Sequence, residues 1–237
     1  MIHRRVAWLL GWGCLLALFL ACFWPVLVQD RQFGFRDAAH FYYPLYQRVQ
    51  TEWDAGRWPL WEAEENAGMP LLGNPTAAVL YPVKVLYAAL PYPWAARWYV
   101  IVHVLLACLS MYLLARSWSI SRAGSLIAAL SYGFGAPVVF QACNIIFLVG
   151  AAWAPLGFRA VDRWVRLRRP WAIAELAAVL TLETLGGDPQ IAYLTGLCAV
   201  GYAVVWRAAE AGKLPRRLEP RWLVVWSILL ALGLVVG

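Results

Sequence analysis

The chain has 237 residues, 62% of them apolar and only 14% charged, with a mean hydropathy of +0.61. A soluble domain carries about 25% charged residues, so this chain has too little polar surface for a globule and reads as a polytopic membrane protein. Its net charge of +7 does not point to nucleic acid, because 14 of the 20 Lys and Arg fall in four clusters, each beside an apolar span, with no basic stripe interleaved with aromatics.

The first apolar run, Val6 to Val28, is 23 residues long, enough to cross a hydrocarbon core of about 30 Å. A cleaved signal peptide has an apolar region of only about 7–15 residues. The "FLAC" at 19–22 resembles a lipoprotein cleavage site, but a bulky Phe19 fits that poorly. The run therefore reads as an uncleaved helix with its N-terminus inside. Further spans follow at 94–115, 120–139, 143–160, 171–186, 190–206 and 222–237. Seven spans starting inside put the basic loops 116–122, 159–170 and 207–221 in the cytoplasm. The same count places residues 29–93 outside it.

That long loop holds seven of the 13 acidic residues. It opens with "FRDAAHFYYP" (35–44), which gathers Arg36, Asp37 and His40 among aromatics. Asp37 can be an N-cap for the helix that follows, with His40 on the same face at i+3. It can also be a general base at the membrane surface with a cation nearby, and the two readings are compatible. Phe41, Leu45, Val49 and Trp53 recur every four residues, one face of an amphipathic helix expected to lie along the membrane. Gly56 ends it and Pro59 forbids its continuation.

The block 56–75 carries Trp58, Trp61, Glu62, Glu64, Glu65 and Asn66, and its Gly and Pro residues fix a compact loop. Its Trp rings suit sugar faces or the headgroup belt. Thr76 to Leu90 is apolar but short, and with Pro82 and Lys84 it reads as a surface or re-entrant helix.

Beyond the loop, "ETLGGDPQIAY" (183–193) occupies the outer mouth between the fifth and sixth spans, on the side of Gln141 and Asn144. Glu183 is an ionisable group near the end of a span, which marks a functional candidate. Asp188 and Gln190 flank Pro189 at a tight turn. Glu175 belongs to the other side and pairs with a loop arginine. The five cysteines lie in or beside apolar segments with no C-x-x-C spacing, and read as small buried hydrophobes. Three scattered histidines make no metal set. There is no G-x-x-x-x-G-K-S/T, H-E-x-x-H or G-x-S-x-G. The last apolar run stops without a polar tail, as in a fragment of a longer protein.

The stretch 35–91 resembles the YfhO family of bacterial membrane proteins. It shows an Asp just outside the first helix, an aromatic-Pro, then G-x-x-P-x-W, G-x-P, N-P and a Tyr-Pro ahead of an apolar stretch; "GGDPQIAY" (186–193) matches a second signature. That family is similar to the GT-C glycosyltransferases, multi-helix enzymes that use polyprenyl-phosphate sugars. The resemblance implies an all-α, GT-C-like fold of about seven spans whose long first loop bears amphipathic helices. It makes this single membrane domain the N-terminal portion of a longer architecture, in the bacterial cytoplasmic membrane. It implies transfer of a sugar from a polyprenyl-phosphate donor to a cell-envelope glycan or lipid. Asp37 corresponds to the acidic residue that serves as base or metal ligand, here as general base. Arg36, Lys84 or Arg97 would hold the leaving phosphate; His40, Asp188, Gln190 and Trp61 would position sugar or acceptor. A divalent cation is compatible with the pattern and not required by it. A non-catalytic alternative, a lipid-carrier transporter or a scaffold subunit, keeps the topology and needs no reactive carboxylate.

Overall fold

The computed structural model describes residues 2–65 and 67–212, with side chains from Gly13 onward in the first helix. Asn66, the expected seventh span at 222–237 and the basic residues at 213–221 lie outside the described residues. The chain is a helix bundle capped by its first long loop. Helix α1 (Ile2–Leu27) is followed by a π-helical turn (Ala38–Tyr42) and α2 (Tyr43–Asp54). A small antiparallel hairpin, β1 (Trp61–Glu62) with β2 (Met69–Pro70), pairs Trp61 with Pro70 and Glu62 with Met69. Two 3-10 turns (Pro75–Ala77 and Pro82–Lys84) lead to α3 (Val85–Ala89). The bundle continues with α4 (Tyr92–Ser117), α5 (Arg122–Gly133), α6 (Ala136–Phe140), α7 (Ile145–Val165), α8 (Ala172–Leu185) and α9 (Pro189–Glu210).

Among the described residues, four helical units are long and apolar enough to cross a membrane: α4, the bent unit Arg122–Cys143, α7 and α9. The described part of α1, Gly13–Leu27, is apolar but shorter. Helix α8 keeps the expected boundaries to within a residue, yet its 14 residues reach only about 21 Å at 1.5 Å each, short of a full span.

Local chemistry explains where these helices start and bend. Ser121 caps α5 by accepting the Gly124 N–H at 3.1 Å. Asp188 caps α9 by accepting the Gln190 N–H at 2.8 Å, with Pro189 in the first turn where its missing N–H costs nothing. Pro155 inside α7 leaves the Ala151 carbonyl, four residues back, without its helical partner. The Tyr132 hydroxyl of α5 donates to that carbonyl at 2.7 Å, satisfying it where lipid could not.

Helix α4 packs on α5 and α7, α7 on α8 and α9, and α8 on α9. Gly157 lets α7 and α9 approach, since a Cβ there would stand 2.9 Å from the Thr195 methyl. One end of the bundle gathers Arg116, Arg122, Arg159–Arg169 and Arg207, the arginine end, around a core of Leu114, Phe158, Val165 and Tyr202. The opposite, loop end receives residues 29–91 on the start of α4, the start of α7 and the end of α8.

Two expectations need correction there. The apolar face of α2 docks on the bundle through Leu45, Tyr46 and Val49, packed in one core with Tyr87, Tyr99 and Ile145, instead of facing lipid. Phe41, in the π-turn before α2, points outward at 45% exposure. The stretch 76–90 forms no single surface helix but two 3-10 turns and the five-residue α3; Ala78 turns through a left-handed φ of 50° and Pro82 interrupts any longer helix. Gly56 does stop α2 as expected, in a left-handed conformation with φ 70°.

Candidate functional site

The loop end brings together the two sequence patches that carried the resemblance. Asn74 accepts the Thr76 N–H at 3.0 Å, fixing the N-P turn, and Asp188 fixes the D-P turn in the same way. Gly187, at φ 123°, lies between them: a Cβ there would meet Ile146 at 2.5 Å and the Pro75 carbonyl at 3.4 Å. Only glycine suits both that backbone and that approach.

Asp37 stands at the start of the π-turn with helical backbone angles, and its side chain makes no capping hydrogen bond. The capping chemistry weighed for it is therefore absent, and its carboxylate is exposed. Arg36 just before it is also exposed, in the left-handed region at φ 53°. A non-glycine residue there costs of order 1 kcal/mol, held by the surrounding structure. The Arg36 carbonyl accepts the N–H groups of Ala39 at 3.1 Å and His40 at 3.3 Å, which anchors the strained unit to the π-turn.

Tyr42, buried on the inner side of that turn, donates its hydroxyl to Asn144 Oδ1 at the start of α7. Burial, then the nearby charges of Asp37 and Asp188 and the Cys143 thiol, push its phenol up from the usual value. That keeps Tyr42 a hydrogen-bond donor to Asn144. The topology places Asn144 on this side, whereas no spacing in the sequence singles out Tyr42.

The other cations lie elsewhere. Lys84 is 1% exposed. Its Nζ sits 2.6 Å from the Tyr46 ring centroid, 4.6 Å from that of Tyr87 and 5.1 Å from that of Tyr99. Among the described residues no hydrogen-bond acceptor reaches Nζ, and the hydroxyls of all three tyrosines are likewise unpartnered. Burial holds the Lys84 amine well below its usual pKa. Arg97 is also buried: its guanidinium pairs with Asp30, stacks 4.8 Å from the Trp94 ring, and can receive the Gln32 side-chain oxygen at 2.9 Å.

Trp61 is exposed on the hairpin, its ring lying over Gly68, while Gln190 is exposed at the start of α9. Glu183 is buried, takes the Thr195 hydroxyl at 3.1 Å on one oxygen, and leaves the other without a partner. A hydrogen-bonded chain that residue spacing did not announce runs beneath the loop. Trp153 Nε1 donates to Tyr81 Oη at 2.8 Å, and Tyr81 donates onward to His103 Nε2 at 2.8 Å. Because His103 Nδ1 faces the Tyr99 carbonyl at 2.6 Å, Nδ1 carries the proton and Nε2 accepts. Among the described residues no three His, Cys, Asp or Glu side chains gather to hold a metal ion.

A family model described as "Bacterial membrane protein YfhO" matches residues 14–236. No curated protein and no solved structure matches the chain.

Proposed function

This chain belongs to the YfhO family of bacterial membrane proteins, and from that premise we propose that it transfers a sugar from a polyprenyl-phosphate donor to a cell-envelope acceptor at the loop end, which faces away from the cytoplasm. The observation that carries the reading is Asp37: an exposed carboxylate with no capping partner, at the start of a π-turn whose Tyr42 is tied to Asn144. Among the described residues no hydrogen bond or ion pair uses that carboxylate. In the reaction the acceptor hydroxyl gives its proton to Asp37 as its oxygen bonds to the anomeric carbon. The bond from that carbon to the phosphate oxygen breaks, and polyprenyl phosphate leaves with the electron pair. Charge grows on the leaving phosphate, and a guanidinium aimed at it lowers the barrier. Arg36 is the cation exposed beside Asp37. Lys84 and Arg97 are buried and serve that phosphate only if the loop opens.

One observation favours a non-catalytic lipid-carrier transporter or scaffold: two of the three cations assigned to the phosphate are sealed from the surface. Asp37→Asn separates the readings. Losing a general base costs about 10²–10⁴ in rate, whereas a carboxylate that merely decorates a turn is replaced by Asn at no cost. The assay is sugar transfer from a polyprenyl-phosphate donor by the chain in detergent. Turnover near wild type in Asp37→Asn sinks the general-base role.

A further inference from the structure

Against the π-turn that follows Asp37 the loop end carries an open groove with a volume of about 380 Å³, and what can fill it rests on the glycosyl-transfer reading. One wall is the outward side of the π-turn and α2, with His40, Phe41, Gln47 and Arg48; the facing wall is the hairpin, with Glu62, Glu64 and Glu65. At its base Arg48 pairs with Glu62 as an ion pair, Nε 2.9 Å from Oε2 but without hydrogen-bond alignment, and the other Glu62 oxygen accepts the Glu64 N–H at 3.0 Å. Both Glu62 oxygens are thus engaged, while Glu64, 3.6 Å from Arg48 and 81% exposed, and the exposed Glu65 retain free lone pairs. Phe41 presents its ring here, although Leu45 and Val49, one and two turns on, are buried.

A flat apolar face bordered by planar carboxylate, amide and guanidinium groups suits a ring with C–H bonds on one side and hydroxyls around its edge. Charge narrows the class. Three glutamates against one arginine give the groove a net charge of −2, which repels anionic polymers. The glutamates do not converge to chelate an ion, since no metal-holding trio exists among the described residues. Glu62 and Glu64 share Arg48, and Glu65 lines the same wall with its carboxylate exposed.

We propose that this groove is the acceptor subsite and that it takes an uncharged or amine-bearing saccharide. The sugar ring lies on Phe41, with hydroxyls donating to Glu64 and Glu65 and accepting from Arg48, while His40, three residues after Asp37, lines the same groove.

The test is binding, which needs no turnover. The whole chain in detergent is titrated with chitotriose (uncharged), its fully deacetylated amine form and trigalacturonate (anionic), read by saturation-transfer NMR. The first two bind and the third does not. Phe41→Ala weakens binding about tenfold, the upper worth of one aromatic platform, and Phe41→Tyr restores it. Because Phe41 also packs edge-on against Tyr42 at 5.2 Å, Phe41→Ala lowers the melting temperature slightly while Phe41→Tyr keeps it, and binding is read well below both transitions. Saturation by none of the three sugars, preference for the anionic one, or unchanged binding in Phe41→Ala overturns the inference. The glycosyl-transfer reading fails separately, through an active Asp37→Asn protein, and saccharide binding that responds to Phe41 would survive that failure.

Discussion

The two ends of the bundle treat buried polar groups in opposite ways. At the arginine end Asp162, 0% exposed, accepts the Tyr202 hydroxyl at 2.6 Å and Arg166 NH1 at 3.1 and 3.3 Å. Arg163 pairs with Glu175, and Arg168 with Glu210 at 3.0 Å. The orphans there are indole N–H groups such as that of Trp206. At the loop end the orphans include an amine, a carboxyl oxygen and three phenol hydroxyls: Lys84, Glu183, Tyr46, Tyr87 and Tyr99. Stranded polar atoms cost stability, so one end is organised for stability and the other holds polar groups that packing does not use. Such a difference is what a site grafted onto a scaffold produces.

The largest effect that sharpens this contrast belongs to Asp162→Ala. It strips Arg166 and Tyr202 of their shared acceptor, and breaking a buried pair of this kind costs about 3 kcal/mol. The expected result is a lower melting temperature in detergent with sugar binding unchanged. A melting temperature equal to wild type would erase the distinction between the ends.

Next comes Lys84→Met, expected to be neutral or to stabilise by about 1 kcal/mol, because it removes an amine that has no carboxylate or other acceptor. The pH dependence gives the sign. Between its depressed folded pKa and about 10.4, Lys84 binds a proton in the unfolded chain but not in the folded one. Wild-type stability therefore rises with pH through that window, by at most about 1.4 kcal/mol per unit. Melts at several pH values between neutrality and 9.5 should show this rise in wild type and its loss in Lys84→Met. Parallel curves for the two proteins would mean that the amine stays charged inside its tyrosine cage.

The smallest effect is that of Tyr42→Phe, which deletes the hydroxyl bound to Asn144 and costs about 1 kcal/mol. If that bond also holds the turn bearing Asp37, sugar transfer falls by more than the stability loss explains. A stability change with full turnover would make the tie purely structural.

The arginine end was the more legible of the two in the sequence. Basic clusters beside apolar runs placed the helix ends, and Glu175 found its arginine because the two lie across one short turn between α7 and α8. The loop end was harder because periodicity reports that a face is apolar without saying what covers it. The four-residue repeat of α2 was real, yet its cover is Tyr87, Tyr99 and Ile145 from distant parts of the chain. Lys84 and Arg97 looked like surface cations for the same reason. Their partners are aromatic faces and Asp30, and a tyrosine ring that cages an amine has the same sequence signature as one in a headgroup belt. Asp37 reads as an N-cap or a general base and Asp188 as a residue of a tight turn, yet of the two only Asp188 caps a helix.

The hydroxyl that Tyr132 lends to the Ala151 carbonyl restricts how this bundle can move. Pro155 removed one rung from α7, and the replacement rung comes from α5. A slide of α5 along α7 by a single residue, about 1.5 Å, would leave that buried carbonyl unpaired. The bond thereby ties the register of α7 to that of α5 at one point, and sliding α5 against α7 carries a cost of about 1 kcal/mol that a plain helix contact would not.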